Sequence, residues 1–435
     1  MGVKAVVGAV LVCLNASLAF ALEPGDLVAA RRDLSIVDNA KNVDQAGAGQ
    51  VLKVLEVNGS KILVSRGRPG WVPVADVIEL DAAEAFFSKP FATGANARDY
   101  LSRGTVRMSL GKHAEGITDL KKAVEIANSP GDYLEPLAYA QITAQDQPAA
   151  IATFTRAIQD DPKSVPAWMG RGLAYYQVGQ NQNALDDFTK AIQLDPNHAF
   201  SRKYMGALLH DLGNIDSARK QLDLAVKLDP HDGFARKARG RVLYDQADYA
   251  AALNDFSIAV TLDAADGEAV AGRGVVRLAI GSELTAAESD FKTAIELEKY
   301  PEENAYLWSN LGQVQTELRK FDDAERNLDR AIELDPSLNE ARSHRAYLLA
   351  THLPDAARVA AAKADVQLVF ASRETKTFWD YRSLAAVNAA MGDYARAAKH
   401  MALGEAIVRT TGPVRFAKPA VVLRESFEQK LTPVP

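Results

Sequence analysis

The sequence has little cysteine, few aromatic residues and no excess of positive charge, and each shortage excludes something. One cysteine, Cys13, among 435 residues excludes a disulfide framework and cysteine-based metal sites. Aromatic residues make up 7%, so small residues must do much of the packing, which suits close helix contacts better than β-sandwich cores. A formal net charge of −6 disfavours a nucleic-acid binder that works through overall positive charge. Hydrophobic residues at 48% exclude a mostly disordered chain.

The first 21 residues have the pattern of an export signal. Lys4 supplies a short positive region, residues 5–14 are almost wholly apolar, and residues 19–21 (Ala-Phe-Ala) form the small-x-small site that signal peptidase requires. The apolar run is too short to cross a bilayer comfortably. We therefore predict a signal peptide at 1–21, whose removal would also remove Cys13, and a periplasmic or secreted protein of the bacterial envelope that is not membrane-embedded. An uncleaved anchor is the alternative.

Residues 22–80 show a pattern of short strands and turns. Two β-branched runs, 51–57 and 61–64, flank Asn58-Gly59, a strong hairpin signal because both residues tolerate the positive φ of a type I′ turn. With Gly70-Trp71-Val72 after a second turn, these landmarks resemble a bacterial SH3-like domain. The resemblance implies a small all-β barrel and, in that family, binding of short peptides or cell-wall material. Trp71 belongs either to such a surface or to the core.

We predict a linker or a short helix at 81–96. After this segment the chain repeats every 34 residues, as the Asp-Pro pairs at 161, 195 and 229 show. In the unit that begins at Val165, Trp168, Gly172, Tyr175, Ala184, Phe188 and Pro196 match W-x2-L-G-x2-Y…A-x3-F…P. This pattern resembles the tetratricopeptide repeat, which implies a mainly α chain, with helix pairs stacked into a right-handed superhelix over 97–411. We number the predicted repeats 1 to 9, starting near residues 97, 131, 165, 199, 233, 267, 305, 339 and 378, and expect a C-terminal tail at 412–435.

Arginine occupies the seventh position of five repeats, where leucine is usual in this family. An arginine in the packed seam between the two helices of a repeat would be destabilising without a partner. In the same five repeats position 23, on the facing helix, is aspartate, whereas in the other four repeats neither position carries an arginine or an acid. We therefore predict five structural ion pairs, which are Arg103–Asp119, Arg171–Asp187, Arg239–Asp255, Arg273–Asp290 and Arg345–Asp365.

The resemblance also implies a concave groove lined by first helices, chiefly at repeat positions 2, 5, 9 and 12. In repeats 3 to 5 these positions form a basic and aromatic cluster on an acidic protein. Basic side chains pair with acidic groups or a terminal carboxylate, and aromatic rings give rigid contact area. The alternative is a solvated groove whose rings pack on adjacent helices. Repeat 9 adds Trp379 and Arg382 at positions 2 and 5. The predicted binding residues are Tyr176, Phe200, Lys203, His210, Phe234, Lys237, Arg241 and Tyr244.

The sequence lacks the spacing of common catalytic sites, including HExxH, GxSxG and a phosphate loop. We therefore expect no enzyme, no catalytic residue, no metal, no cofactor and no nucleic-acid partner. The favoured function is an exported interaction scaffold that holds a protein or peptide partner, with acidic residues, in its groove. The alternative is an envelope or cell-wall ligand-binding protein that recognises its ligand through the SH3-like domain and uses the repeats as a spacer. An enzyme with an unrecognised site is a third interpretation.

Overall fold

The structure is a computed structural model that describes residues 22, 24, 26–38, 41–65, 70–92, 94–298, 304–410 and 417–430. The predicted signal peptide, with Cys13, lies outside the described residues. The chain divides into two compact units, residues 1–235 and 236–435, and each is described by itself.

Seven antiparallel strands form one sheet at the start of the first unit. Their order across the sheet is β3-β2-β6-β5-β4-β1-β7. Asn58 pairs with Lys61 where the predicted hairpin joins β4 to β5, and Gly59 has a positive φ of 59°. Alternate residues of these strands, such as Val54 and Ile62, are fully buried in one apolar core. The strands are β1 Leu27–Ala30, β2 Leu34–Asp38, β3 Lys41–Ala46, β4 Val51–Asn58, β5 Lys61–Ser65, β6 Gly70–Pro73 and β7 Val77–Glu79.

This sheet is open, so the prediction of a closed barrel is wrong. Strands β3 and β7 stand at the two ends of the order and do not pair with each other in the described residues. Closure depends on the tilt and stagger of the strands, which a local pattern of strands and turns does not contain. The β1–β7 end packs instead against a helix, with Ala29 and Ala83 fully buried in the contact.

That helix, α1 (Leu80–Ser88), lies at the start of the segment for which the sequence predicts a linker or a short helix. Its Phe87 packs in one apolar cluster with Val106 of the first repeat. Its Glu84 accepts a hydrogen bond from Lys112 and one of 2.9 Å from Arg107 Nε, and these two bonds lower the pKa of Glu84. The linker segment thus connects the sheet to the repeats by packing and by charge.

Helix pairs follow, and the first helices of consecutive repeats contact each other from repeat 1 to repeat 4 and from repeat 6 to repeat 9. The pairs are α2 Ala97–Ser109 and α3 His113–Ile126 in repeat 1, α4 Gly131–Thr143 and α5 Gln147–Asp160 in repeat 2, α6 Val165–Gln177 and α7 Asn181–Leu194 in repeat 3, α8 Ala199–Asp211 and α9 Ile215–Leu228 in repeat 4, α10 Gly233–Asp245 and α11 Tyr249–Leu262 in repeat 5, α12 Gly267–Ile280 and α13 Leu284–Leu297 in repeat 6, α14 Ala305–Glu317 and α15 Phe321–Leu334 in repeat 7, α16 Asn339–Thr351 and α17 Ala356–Ser372 in repeat 8, and α18 Phe378–Ala390 and α19 Tyr394–Thr410 in repeat 9.

An aspartate ends many of the second helices in the same way. Asp195 accepts a hydrogen bond of 2.9 Å from the backbone N–H of Asn197, two residues later, and Asp161, Asp229, Asp263 and Asp335 make the equivalent turn. Such a turn offers the backbone an alternative to a further helical bond. The following proline, where present, cannot donate one. These carboxylates are therefore turn elements.

Small residues let the two helices of a repeat touch. A Cβ atom at Gly172 would lie 2.8 Å from the ring of Phe188, and one at Gly206 would lie 2.5 Å from Leu222. The facing alanines, Ala184 among them, are fully buried. At native packing density these contacts leave no room for a larger side chain.

A further helix, α20 (Ala417–Gln429), lies where the sequence predicts a tail. Ala420 and Phe427 are buried in the apolar cluster of repeat 9, and Arg424 Nε pairs with Glu405 at 2.8 Å. A terminal repeat has no following repeat to cover its second helix, so a capping element is needed there. The sequence interpretation missed α20 because it does not follow the repeat pattern.

Candidate ligand-binding surface

All five arginine–aspartate pairs are in contact across the seam of their repeat. In each pair the arginine Nε and Nη2 donate to the two carboxylate oxygens, at distances between 2.6 and 3.1 Å. This is the bidentate geometry that strengthens an ion pair. The hydrogen bonds that Arg171 donates to Asp187 raise the pKa of Arg171, so this arginine stays charged although it is partly buried.

The sequence analysis missed a second arginine at four of these aspartates. Arg107 and Arg277 come from position 11 of their repeats, and Arg236 and Arg342 come from position 4. All four approach the aspartate within 2.9 Å. Positions 4 and 7 are one helical turn apart, and so are positions 7 and 11. The i, i+3 and i, i+4 spacing of these arginines therefore indicated in the sequence that they share one helix face. Two cations on one buried carboxylate reinforce a structural role for the cluster.

We use the name first-helix surface for positions 2, 5, 9 and 12 of the first helices. In repeat 4, Lys203 at position 5 is buried on this surface, with its Nζ 2.6 Å from Asp232. The ammonium also lies over three rings, 4.1 Å from Phe200, 5.3 Å from Tyr204 and 5.4 Å from Phe234. Its charge is therefore compensated within the chain. The ring of Phe234, 39% exposed, is what this cluster offers to a ligand.

Two more predicted binding residues share a neighbour. The Tyr176 hydroxyl donates a hydrogen bond to Asp211, and the His210 Nδ1 lies 3.8 Å from the other oxygen of the same carboxylate. Both rings are half-buried. The structure brings them together around an acidic group.

In the second unit the remaining predicted cations also have acidic partners. Lys237 Nζ lies 2.8 Å from Asp266 and 2.9 Å from Glu268, and the guanidinium of Arg241 pairs with Glu268 as well. The ring of Tyr244 packs 5.5 Å from that of Tyr249. Sequence reasoning missed these pairs because Asp266 lies just before the next repeat and Glu268 in its first helix, and only stacking brings them near.

Trp71 lies on the sheet, half-buried between Val37 of β2 and Leu63 of β5. It is also part of the wall of a surface depression of about 670 Å³. Trp71 is thus part of the sheet and also part of the surface of the depression. The other residues of the wall are Arg32, Asp33, Leu34, Ser35, Val37, Lys61, Val72, Pro73 and Asp76.

Two observations concern the described part of the chain as a whole. No helix there combines the length and the apolar character needed to cross a membrane. No three His, Cys, Asp or Glu side chains are grouped there so that they could hold a metal ion.

Comparison with known proteins identifies the repeats. Models of the tetratricopeptide repeat match residues 98–130, 165–198, 205–269, 237–304 and 305–338. No curated protein matches the chain in sequence.

Solved structures are similar in fold. The structure of the APC/C hetero-tetramer Cut9–Hcn1 matches with 17% identity and a TM-score of 0.52 over 61% of this chain and 52% of that one, so the match spans about half of its length. YrrB, titled a TPR protein with an unusual peptide-binding site, matches with 24% identity and a TM-score of 0.37 over 43% of this chain and 95% of that one. PilW, titled a type IV pilus biogenesis factor, matches with 19% identity and a TM-score of 0.44 over 50% of this chain and 99% of that one. The matched models show that residues 98–130, 165–198 and 205–338 of this chain form tetratricopeptide repeats, and the similarity to Cut9–Hcn1 shows the fold alone.

Proposed function

We propose that this chain is an exported, non-enzymatic scaffold that holds a segment of a partner protein on its first-helix surface. The observation that carries the proposal is the exposure of aromatic rings at position 2 of the repeats. Phe234 is 39% exposed and Tyr306 is 61% exposed. Large exposed rings at ordered positions are typical of interaction sites, because they give much contact area for little lost side-chain entropy.

The ion pairs of this surface support a particular kind of contact. Lys203 and Lys237 are held by carboxylates of their own chain, so in repeats 4 and 5 their charges are compensated and do not attract a partner over a distance. A partner segment would therefore contact rings and hydrogen-bonding groups there. The fold itself supports binding in general and names no partner.

The export part of the proposal rests on the first 21 residues alone. Their charged start, apolar run and small-x-small site support transfer across the inner membrane, after which the partner would be a protein of the bacterial envelope.

Site-specific photo-crosslinking in cells tests the proposal. A benzoylphenylalanine at position 234 should crosslink one defined envelope protein. The matched control places the crosslinker at Leu224, which is 41% exposed but lies on a second helix. Equal crosslinking from both positions, or none from position 234, would contradict the proposal.

The Trp71 depression favours the second candidate function, in which the sheet binds cell-wall material. Under this alternative the full-length chain is retained on purified wall, Trp71→Ala abolishes retention, and Phe234→Ala leaves it unchanged. Retention of Trp71→Ala at the wild-type level would exclude this depression as the site.

A further inference from the structure

A pocket of about 340 Å³ lies in the second unit between the helices of repeats 6 and 7. The ring of Trp308 and the side chain of Leu311 form apolar walls, and the amides of Gln315 and Asn327 form a polar one. These first-helix residues occupy positions 4, 7 and 11 of repeat 7, and the rest of the pocket comes from second helices. The pocket is therefore separate from the first-helix surface, which consists of positions 2, 5, 9 and 12.

The same place in repeat 3 holds a guanidinium. That of Arg171, at position 7, lies 4.9 Å from the ring centre of Trp168 at position 4 and 5.8 Å from that of Tyr175 at position 11. It donates to Asp187 at position 23 and, at 3.2 Å, to Thr155 at position 25 of the preceding repeat. The four equivalent residues around repeat 7 all line the pocket, and they are Trp308, Gln315, Asn327 and Lys292.

Position 7 of repeat 7 is a leucine, so the pocket is a guanidinium slot without its arginine. Leu311 is buried in the apolar cluster of repeats 6 and 7, but its side chain is shorter than that of arginine and carries no donor. Repeat 4 also lacks an arginine at position 7. There Arg202, at position 4, donates at 2.7 Å to Gln221 at position 23. A neutral amide at position 23 thus accepts a guanidinium in this chain.

The hydrogen bonds behind the pocket determine which atom Asn327 offers to a ligand. Burial alone would raise the pKa of Glu288, but hydrogen bonds from two lysines and from Gln315 lower it to about 2, so this carboxylate is ionised and only accepts. Gln315 Nε2 donates to it at 3.3 Å, and Gln315 Oε1 accepts from Asn327 Nδ2 at 2.6 Å. The Oδ1 of Asn327 remains as an acceptor, with no donor among the described residues.

A carboxylate at the pocket is also without an ion-pair partner among the described residues. It belongs to Glu296, which is exposed on α13. The two cations of the lining have carboxylates of their own chain: Lys292 Nζ lies 2.9 Å from Glu288, and Arg326 pairs with Asp323. A cationic ligand with several N–H donors therefore meets one available acceptor and one available anion.

We propose that this pocket binds the guanidinium of an arginine side chain of a partner protein. The guanidinium takes the place beside Trp308 that Arg171 takes beside Trp168, and donates to Asn327 Oδ1 and to Glu296. Arginine suits the site better than lysine, because its planar fork lies against a ring while it donates to two acceptors. The inference does not depend on the proposed function, since the site lies outside the first-helix surface.

Fluorine NMR of the full-length chain, labelled with 5-fluorotryptophan, tests the inference. The chain has four tryptophans, and Trp308→Phe identifies the signal of residue 308 by its loss. The probe is arginine with an acetylated amino group and an amidated carboxyl group. The Trp308 signal should shift to saturation, whereas that of Trp168 should stay in place because Arg171 already covers its ring. Equal shifts of both signals, or no shift of the Trp308 signal, overturn the inference.

Two further probes separate the charge of the ligand from its shape. Citrulline with the same blocked ends has the planar shape without the charge, and blocked lysine has the charge without the planar fork. Both should bind at least about fivefold more weakly than arginine. If citrulline binds as tightly as arginine, the site recognises a neutral planar group and the assignment of arginine is wrong.

Variants of the pocket make the test specific. Leu311→Arg with Asn327→Asp rebuilds the seam pair of repeat 3 inside repeat 7, fills the slot and should abolish the shift. Glu296→Gln changes an exposed residue and should weaken arginine binding roughly threefold, even if the rebuilt pair proves unstable. The matched control, Glu333→Gln, removes an exposed carboxylate that does not line the pocket and should leave binding unchanged. Undiminished binding in the pocket variants overturns the inference.

Discussion

The seam aspartates are buried carboxylates, each held by one or two arginines of its own repeat. A buried charge needs its partner, because removing one residue of a buried ion pair destabilises the fold more than removing both. The pairing of positions 7 and 23 across five repeats was therefore readable from the sequence. The sequence also contains the second arginines at positions 4 and 11. It does not show that their side chains point toward the aspartate.

Removing Arg171 should destabilise the chain strongly. Asp187 is 4% exposed and accepts both of its side-chain hydrogen bonds from Arg171, so Arg171→Leu leaves a buried carboxylate alone at a cost of about 3–5 kcal/mol. The double change Arg171→Leu with Asp187→Leu should recover part of this loss in a urea melt. The control Arg326→Leu breaks the exposed pair with Asp323 and should cost less than about 1 kcal/mol. A double variant as unstable as the single one would refute a coupled pair.

His344 should make the second unit sensitive to acid. Burial lowers its pKa to about 3, against an ordinary value near 6.5, so the unfolded chain binds the proton first as the pH falls. The contribution of His344 to the free energy of unfolding is fully present above pH 6.5. It falls by about 1.4 kcal/mol per pH unit as the pH is lowered from 6.5 to 3. Melts of the wild type and His344→Phe at pH 7 and pH 4.5 measure this: the variant should lose less on acidification. Parallel losses would show that other groups carry the acid sensitivity.

At the scale of the elements, the repeat period determines where helices meet and turns fall. Position 8 is small because the second helix touches there, and the terminal aspartate accepts a hydrogen bond two residues on. Both are local consequences of residue type and spacing. The open sheet and α1 are different, because strand closure and the docking of one helix on β1 depend on contacts between distant segments.

Two glycine-to-alanine changes in the first unit should have opposite effects. At Gly206 a Cβ atom would lie 2.5 Å from Leu222, so Gly206→Ala should cost about 1–3 kcal/mol through overpacking. At Gly233, the first residue of α10, a Cβ atom would meet nothing within 4 Å. Gly233→Ala should therefore be neutral or stabilise by up to about 1 kcal/mol. Urea melts of both variants compare the same chemical change, and equal effects would show that helix contact at position 8 is not the cause.

At the scale of the whole molecule, the chain is an array in which each repeat is stabilised mainly by its neighbours. The last repeat is completed by α20 through Phe427 and the pair of Arg424 with Glu405. Deletion of residues 417–435 should expose the apolar face of α19. Amide hydrogen exchange of residues 394–410 should then accelerate, while that of repeats 6 and 7 changes little. Unchanged exchange in α19 would show that α20 is dispensable for the array.

The sequence by itself determined the repeats and the charge pattern inside them, because helix periodicity, small contact positions and seam pairs are set by spacing along the chain. The tetratricopeptide identity of the repeats is confirmed by the matched models. Only the tertiary structure decided which cations of the first-helix surface are paired with a carboxylate of the same chain. Asp232 and Asp266 lie just before the following repeat and Glu268 lies in its first helix, and stacking brings these carboxylates within 2.9 Å of Lys203 and Lys237. A charge is compensated by the opposite charges that lie this close to it.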